Sequence, residues 1–128
     1  MTSARVALAA TVVVAAAVVA ACSGGSAAAS LTPPPDATTT IVAQNTQFTP
    51  SSLSLPGGQA TKVFFKNLDG QPHNVAFYTD SGAGTKLFVG ETITNAATVY
   101  DVPALQPGHY FLRCDVHTQM TGTLDVGG

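Results

Sequence analysis

Cys114, His117 and Met120 fall at i, i+3 and i+6 of one seven-residue stretch, Cys114-Asp115-Val116-His117-Thr118-Gln119-Met120. They offer a thiolate, an imidazole and a thioether. Thiolate with imidazole suits copper or zinc, and a weak thioether tilts the set toward copper. Two imidazoles and a thiolate in a trigonal plane, with a long axial thioether, form a known copper arrangement. The stretch holds three of those four donors, so a second imidazole must come from elsewhere. Singly, each residue has an ordinary use. A lone Cys is usually a small buried hydrophobe, a Met near a C-terminus fills core, and one His signifies little. Their joint spacing, between two strand-like runs, points to a metal.

Two other His are present, His73 and His109. Side chains alternate between the faces of a strand. If Cys114 points inward, so do Leu112 and Tyr110, while His109, Phe111 and Arg113 point outward. His109 also follows the Pro107-Gly108 turn, at about 3.3 Å per residue some 16 Å from the thiol. It reads as a solvated turn residue. His73 follows Pro72, which fixes the backbone, and opens a strand after a polar turn. A strand-end His reaches a site at the end of a sandwich, so His73 is the expected second imidazole.

The elements that position these residues begin near residue 40. From there, short β-branched and aromatic runs alternate with Pro, Gly, Asn and Asp punctuation, and no helical period is sustained. That pattern predicts an all-β sandwich or barrel. Strands are expected over Thr40–Asn45, around Leu53 and Leu55, and over Ala60–Asn67, His73–Tyr78, Phe88–Thr94, Ala97–Val102, His109–Cys114 and Gly122–Val126. Phe48-Thr49-Pro50 reads as a bend, Pro56-Gly57-Gly58 as a turn, and Thr79–Lys86 as a Gly-rich loop. Roughly 87 residues suffice for one modest core.

The 128 residues are a prior for one domain. Only 9% are charged and the formal net charge is -2. Nucleic acid is disfavoured as a partner, because phosphate binding needs clustered Lys and Arg. Arg5 and the apolar run Val6–Ala21, broken only by Thr11, read as a secretory signal over 1–21, the run being short of the roughly 20 residues that span a bilayer. A short membrane anchor is the other reading. Val19-Ala20-Ala21-Cys22 resembles a bacterial lipobox, in which the Cys becomes the first mature residue and carries a diacylglycerol. Two acyl chains give stable anchoring. Ordinary cleavage after Cys22 is the competing reading. Residues 22–39, rich in Ser, Ala, Thr and Pro, read as a flexible or extended linker. With Cys22 lipidated, Cys114 is a lone thiol in an oxidising compartment, and such a thiol calls for an explanation. A metal supplies one. From Cys22 on, four basic side chains stand against seven acidic ones, a net charge of -3.

Residues 40–126, essentially all of the expected domain over 40–128, resemble the cupredoxin family of small blue-copper proteins. The carriers are Phe48-Thr49-Pro50, Leu53 and Leu55, Pro56-Gly57, Asn67-Leu68-Asp69 followed by Pro72-His73-Asn74, Pro107-Gly108-His109-Tyr110, then Cys114, His117 and Met120, and Gly122-Thr123-Leu124. The Cys-x2-His-x2-Met spacing is similar to that of amicyanin-like members; plastocyanin-like members have a longer gap before Met. The resemblance implies a Greek-key β-sandwich of about seven to eight strands with one copper ion at one end. His73, Cys114 and His117 would be its equatorial ligands and Met120 its axial one. Asn74 matches an Asn that in the family hydrogen-bonds across to the Cys loop. Many members have Ser or Thr where this chain has Asp115. Asp115 either accepts a hydrogen bond from Asn74 or faces solvent.

With every coordination position filled by protein groups, a substrate finds none open, which argues against an enzyme. The resemblance implies a carrier of single electrons between Cu(I) and Cu(II). Exported and lipid-anchored outside the cytoplasmic membrane, it would serve redox protein partners through transient, mostly apolar docking near His117. One anchored copper suits a monomer. A copper buffer or chaperone delivering to an oxidase is the alternative. A sandwich without metal would require all four donors to coincide by chance.

Overall fold

The structure is a computed structural model that describes residues 31–128. The expected signal segment, Cys22 and the first part of the linker lie outside the described residues. Nine strands form two sheets: β1 (Thr39–Gln44), β2 (Gln47–Thr49), β3 (Ser52–Pro56), β4 (Thr61–Asn67), β5 (Ala76–Tyr78), β6 (Lys86–Val89), β7 (Ala96–Val102), β8 (Gly108–Arg113) and β9 (Thr121–Gly127). One sheet has the order β2-β1-β4-β7 and the other β3-β9-β8-β5-β6. Both contain a parallel pair, β1 with β4 and β3 with β9. The chain passes from one sheet to the other between β2 and β3, β3 and β4, β4 and β5, β6 and β7, and β7 and β8, so the two layers are stitched together. The all-β sandwich expected from the sequence is present.

Among the described residues the strand count is nine where the sequence predicts seven to eight. The additional strand is β2, which lies where a bend is predicted at Phe48. Asn45 and Thr46 adopt left-handed φ angles of 54° and 58°, the conformation a two-residue hairpin turn needs. The chain folds back so that Ala43 pairs with Phe48, and Phe48 is buried. Two other boundaries shift. The strand predicted from His73 begins at Ala76; His73 makes only an isolated bridge to Ile93. The strand predicted over 88–94 is β6, which starts at Lys86 opposite Tyr78 and ends before Gly90.

Inward residues of both sheets make the core: Ile41, Val63 and Phe65 on one side, Leu53, Phe77, Leu112 and Leu124 on the other. Each is apolar at alternate strand positions, so burial follows from the period of two. A line of rings, Phe77, Phe88, Tyr100 and Phe65, runs through it at centroid spacings of 5.5 Å. Tyr100 donates its hydroxyl to the Glu91 carbonyl at 2.6 Å. On the outer face of β4, Phe64 is buried, and Pro33, Pro34 and Pro35 line an apolar groove beside it with Ala97 and Val99. The Ala37 amide donates to the Pro34 carbonyl, the Thr38 amide donates to the Lys62 carbonyl, and Asp36 pairs with Lys62. The residues just before β1 are thus tied to the sheet.

Burial pushes the Tyr100 hydroxyl well above its ordinary range, and burial with the Asp115 carboxylate beside it raises Tyr78. A phenol with a raised folded value contributes stability below the unfolded value, near pH 10, and loses it as pH rises further. Alkaline titration followed by phenolate absorbance should show no more than one of the three tyrosines ionising near pH 10. The rest of the signal should appear together with unfolding. Three independent ionisations near pH 10 in the folded protein would contradict this packing.

Candidate metal centre

The site lies at one end of the sandwich, where β4 ends at Asn67, β8 ends at Arg113 and β9 begins at Thr121. Cys114 is the first residue past β8, and His117 and Met120 occupy the loop to β9. His73 arrives on the connection from β4 to β5. Mutual backbone hydrogen bonds with Ile93, both 3.0 Å, fix its position. Asn67 staples the preceding turn. Its side-chain amide donates to the Gln71 and Ile93 carbonyls at 2.7 and 2.8 Å, and its Oδ1 accepts the Asp69 amide at 2.9 Å.

The structure brings His73, Cys114 and His117 together, with one donor atom from each all within 4.8 Å of one another. Cys114 Sγ is 3.7 Å from His73 Nδ1, and the Nδ1 atoms of His73 and His117 are 3.1 Å apart. Donors about 2.0 to 2.3 Å from one ion, at about 120° to each other, stand about 3.5 to 3.8 Å apart. The sulfur–nitrogen separation falls in that range, and the 3.1 Å between the two imidazole nitrogens corresponds to a narrower angle of about 100° at an ion about 2.0 Å from each, so one ion can still reach both. Three electron-rich atoms converging on one point, two of them on fully buried residues, favour a cation there. Among the described residues Cys114 is a free, buried thiol. Met120 is 2% exposed and shares the apolar cluster of Cys114. His109, by contrast, is 92% exposed and pairs with Asp125, as a surface turn residue would.

The loop is closed by its own backbone. The Cys114 amide donates to the Met120 carbonyl at 2.9 Å, and the Met120 amide donates to the His117 carbonyl at 2.8 Å. The His117 amide points at Cys114 Sγ, 3.4 Å away. Hydrogen bonding to the sulfur is one of the controls on a copper–thiolate site. A spacing of three residues from Cys to His and from His to Met is what lets one tight turn make all three bonds.

Asn74 bridges to this loop, but through a different donor than expected. Its Oδ1 accepts the backbone amide of Asp115 at 2.8 Å, and its Nδ2 donates to the Gly90 carbonyl at 3.1 Å. The Asp115 carboxylate takes neither of the two places foreseen for it. It accepts the Tyr78 hydroxyl at 2.6 Å and Arg113 Nη2 at 2.9 Å, while the Arg113 guanidinium lies 4.6 Å from the centre of the Tyr78 ring. The side chains of Arg113 and Asp115 thus meet on one side of the chain, while Cys114 between them is buried. Burial pushes the Asp115 carboxyl up, but the Tyr78 hydroxyl and Arg113 outweigh it and hold it below the ordinary range.

Sequence reasoning missed Asp69, which reads as a turn residue. Its Oδ2 lies 2.9 Å from Nε2 of His73, the ring nitrogen turned away from the donor cluster. The i−4 spacing from a proposed ligand His was the available signal.

The family model described as a cupredoxin-like domain matches residues 10–126. This chain belongs to the cupredoxin-like family. The chloroplastic plastocyanin minor isoform of Arabidopsis thaliana is 37% identical to this cupredoxin over 87 residues, covering 62% of the chain and 50% of that protein. Plastocyanin A/B of Petroselinum crispum is 35% identical over 74 residues, covering 55% of the chain and 74% of that protein. The cupredoxin thus spans half the length of the first relative and about three quarters of the second. Among solved structures, dithionite-reduced auracyanin from Roseiflexus castenholzii superposes with a TM-score of 0.62 at 18% identity, covering 70% of this chain and 96% of that one. That likeness is one of fold. Copper is the cofactor of the family, and the donors gathered at the end of this cupredoxin fit it.

Proposed function

We propose that this cupredoxin carries single electrons on one copper ion held by His73, Cys114 and His117, with Met120 as a weak fourth donor. The observation that carries the reading is the convergence of two imidazole nitrogens and a thiol sulfur within 4.8 Å. When bound, copper supplies a one-electron couple. The chain's own part is to hold the donors still. His73 and Cys114 are fully buried and Met120 nearly so, which excludes water from three of the four positions. The backbone bonds of the 114–120 loop and the Asn74 bridge fix the fourth, His117, relative to the sulfur. A donor set held rigidly by two sheets changes little between oxidation states. Leaving no position for a substrate, the site suits transfer of electrons and not catalysis.

His117 is half-buried and lines a shallow surface depression with Thr46, Val116, Thr118 and Gln119, and Val116 is 45% exposed. This is the face for transient redox protein partners. The low charge of the chain suits weak apolar docking over strong steering. The domain, residues 40–128, is delivered by an export signal over 1–21 and tethered through lipidated Cys22 and the linker 22–39 to the outer face of the cytoplasmic membrane. Cys22→Ala should release the protein from membranes; retention of the variant there would contradict the lipid anchor.

Asp115→Asn leaves Arg113 without its carboxylate near the site and should raise the reduction potential. The rise should be on the order of tens of millivolts, a fraction of the ~59 mV of a tenfold change in a one-electron couple. An unchanged potential in voltammetry would show that the Asp115 and Arg113 charges are not felt at the metal.

Repeated reduction and oxidation in the presence of a Cu(I) chelator tests the carrier role. Rapid cycling with the metal retained supports it. Loss of copper to the chelator on reduction would instead favour a copper buffer or delivery protein.

A further inference from the structure

Asp69 makes contacts that a turn residue does not need. An Asp in a turn ordinarily caps amides one or two residues onward. The Asp69 carboxylate instead accepts the amides of Asn45 at 2.8 Å and Thr46 at 2.9 Å, 24 and 23 residues away. Its Oδ2 also lies 2.9 Å from His73 Nε2. Asn45 and Thr46 are the two left-handed residues of the β1–β2 turn, whose adjacent amides converge on the carboxylate. Asp69 is thus anchored from one side by backbone and meets a buried imidazole on the other. Its side chain is 17% exposed and that of His73 is 0%.

We propose that Asp69 is a positioning residue for the metal: it fixes the His73 proton on Nε2, aims the Nδ1 lone pair at the donor cluster, and biases the site toward the more positive oxidation state. The proposal rests on the ligand role of His73 given above. A His that donates its second N–H to a carboxylate is held in one tautomer and one ring orientation, and becomes a more basic donor. A negative charge beyond the imidazole stabilises the higher metal charge more than the lower. The same carboxylate joins His73 to Thr46, which lines the surface depression beside His117. The β1–β2 turn is thereby a rigid support shared by a buried ligand and the exposed face.

Asp69→Asn can still accept from His73 through its amide oxygen but lacks the charge; Asp69→Ala lacks both. In the copper-loaded full chain, Asp69→Asn should still bind one copper and keep its circular dichroism. Its preference for Cu(II) over Cu(I) should fall about tenfold, within the 10–100-fold typical of such outer partners, which is a rise of about 59 mV. Asp69→Ala should also lose Cu(II) affinity. A copper-loaded Asp69→Asn protein with unchanged potential would overturn the proposal and leave Asp69 a structural staple. A second measurement needs neither variant nor copper. Nitrogen-correlated NMR of the metal-free native chain should place the His73 proton on Nε2, protected from exchange; a proton on Nδ1, or rapid exchange, would overturn the proposal as well. If the native chain binds no copper at all, the ligand assignment fails instead, while the tautomer result still reports on the Asp69 contact.

Discussion

Cys114→Ser should abolish the intense visible absorption expected of the copper-loaded protein and lower copper affinity by more than the 10–100-fold that loss of an outer partner costs. The thiolate is the soft donor of the set. A serine hydroxyl in its place does not ionise to an equivalent ligand, and it has no filled sulfur orbitals to give a low-energy charge-transfer band. Cys114 is fully buried and receives the His117 amide, so serine also puts a poorly satisfied hydroxyl into the core at a cost of about 1–3 kcal/mol. The fold should survive this, because the backbone bond from Cys114 to the Met120 carbonyl does not involve the side chain. The decisive comparison is the absorption spectrum with copper added to native and variant protein. A coloured Cys114→Ser protein of native affinity would remove the sulfur from the site.

Gly90→Ala should destabilise the fold and loosen the metal loop together. A Cβ at residue 90 would lie 2.4 Å from the Tyr100 ring and 2.7 Å from its two flanking carbons. The ring has no easy retreat. It stacks on Phe65, abuts Phe88 edge-on, and is pinned through its hydroxyl to the Glu91 carbonyl. Overpacking of this kind costs about 1–3 kcal/mol, or about 4–8 °C in Tm per kcal/mol for a domain of this size. The Gly90 carbonyl also accepts the Asn74 amide, and Asn74 in turn holds the Asp115 amide next to Cys114. Displacing Gly90 therefore reaches the donor loop through two hydrogen bonds. Thermal unfolding of the metal-free variant and its copper affinity should both fall; a lower Tm with native affinity would show that the Asn74 bridge adjusts independently of Gly90.

The sandwich was legible because its strands are short, alternate in polarity and are separated by turn residues. Cys114, His117 and Met120 could be grouped because one loop carries them. His73 could be paired with them only by elimination, since its approach depends on the β4–β5 connection and not on any local pattern. The hairpin to β2 was hidden by Asn45-Thr46, a pair whose left-handed angles are not announced by glycine. The contacts of Asp69 and Asp115 were illegible for a different reason. Each carboxylate finds partners more than 20 residues away in sequence, and only the stacking of the strands decides which they are. Asn74 lies between these cases: its place beside His73 foretold a bridge, but the bridge meets a backbone amide because the Asp115 carboxylate is taken by Tyr78 and Arg113.

The central claim is one redox-active copper on His73, Cys114, His117 and Met120. Its most direct test is a titration of the metal-free protein with Cu(II), followed in the visible region. Saturation at one equivalent is predicted, with an intense thiolate-to-copper band that reductant bleaches and oxidant restores. Saturation without such a band, or no binding, would contradict the claim.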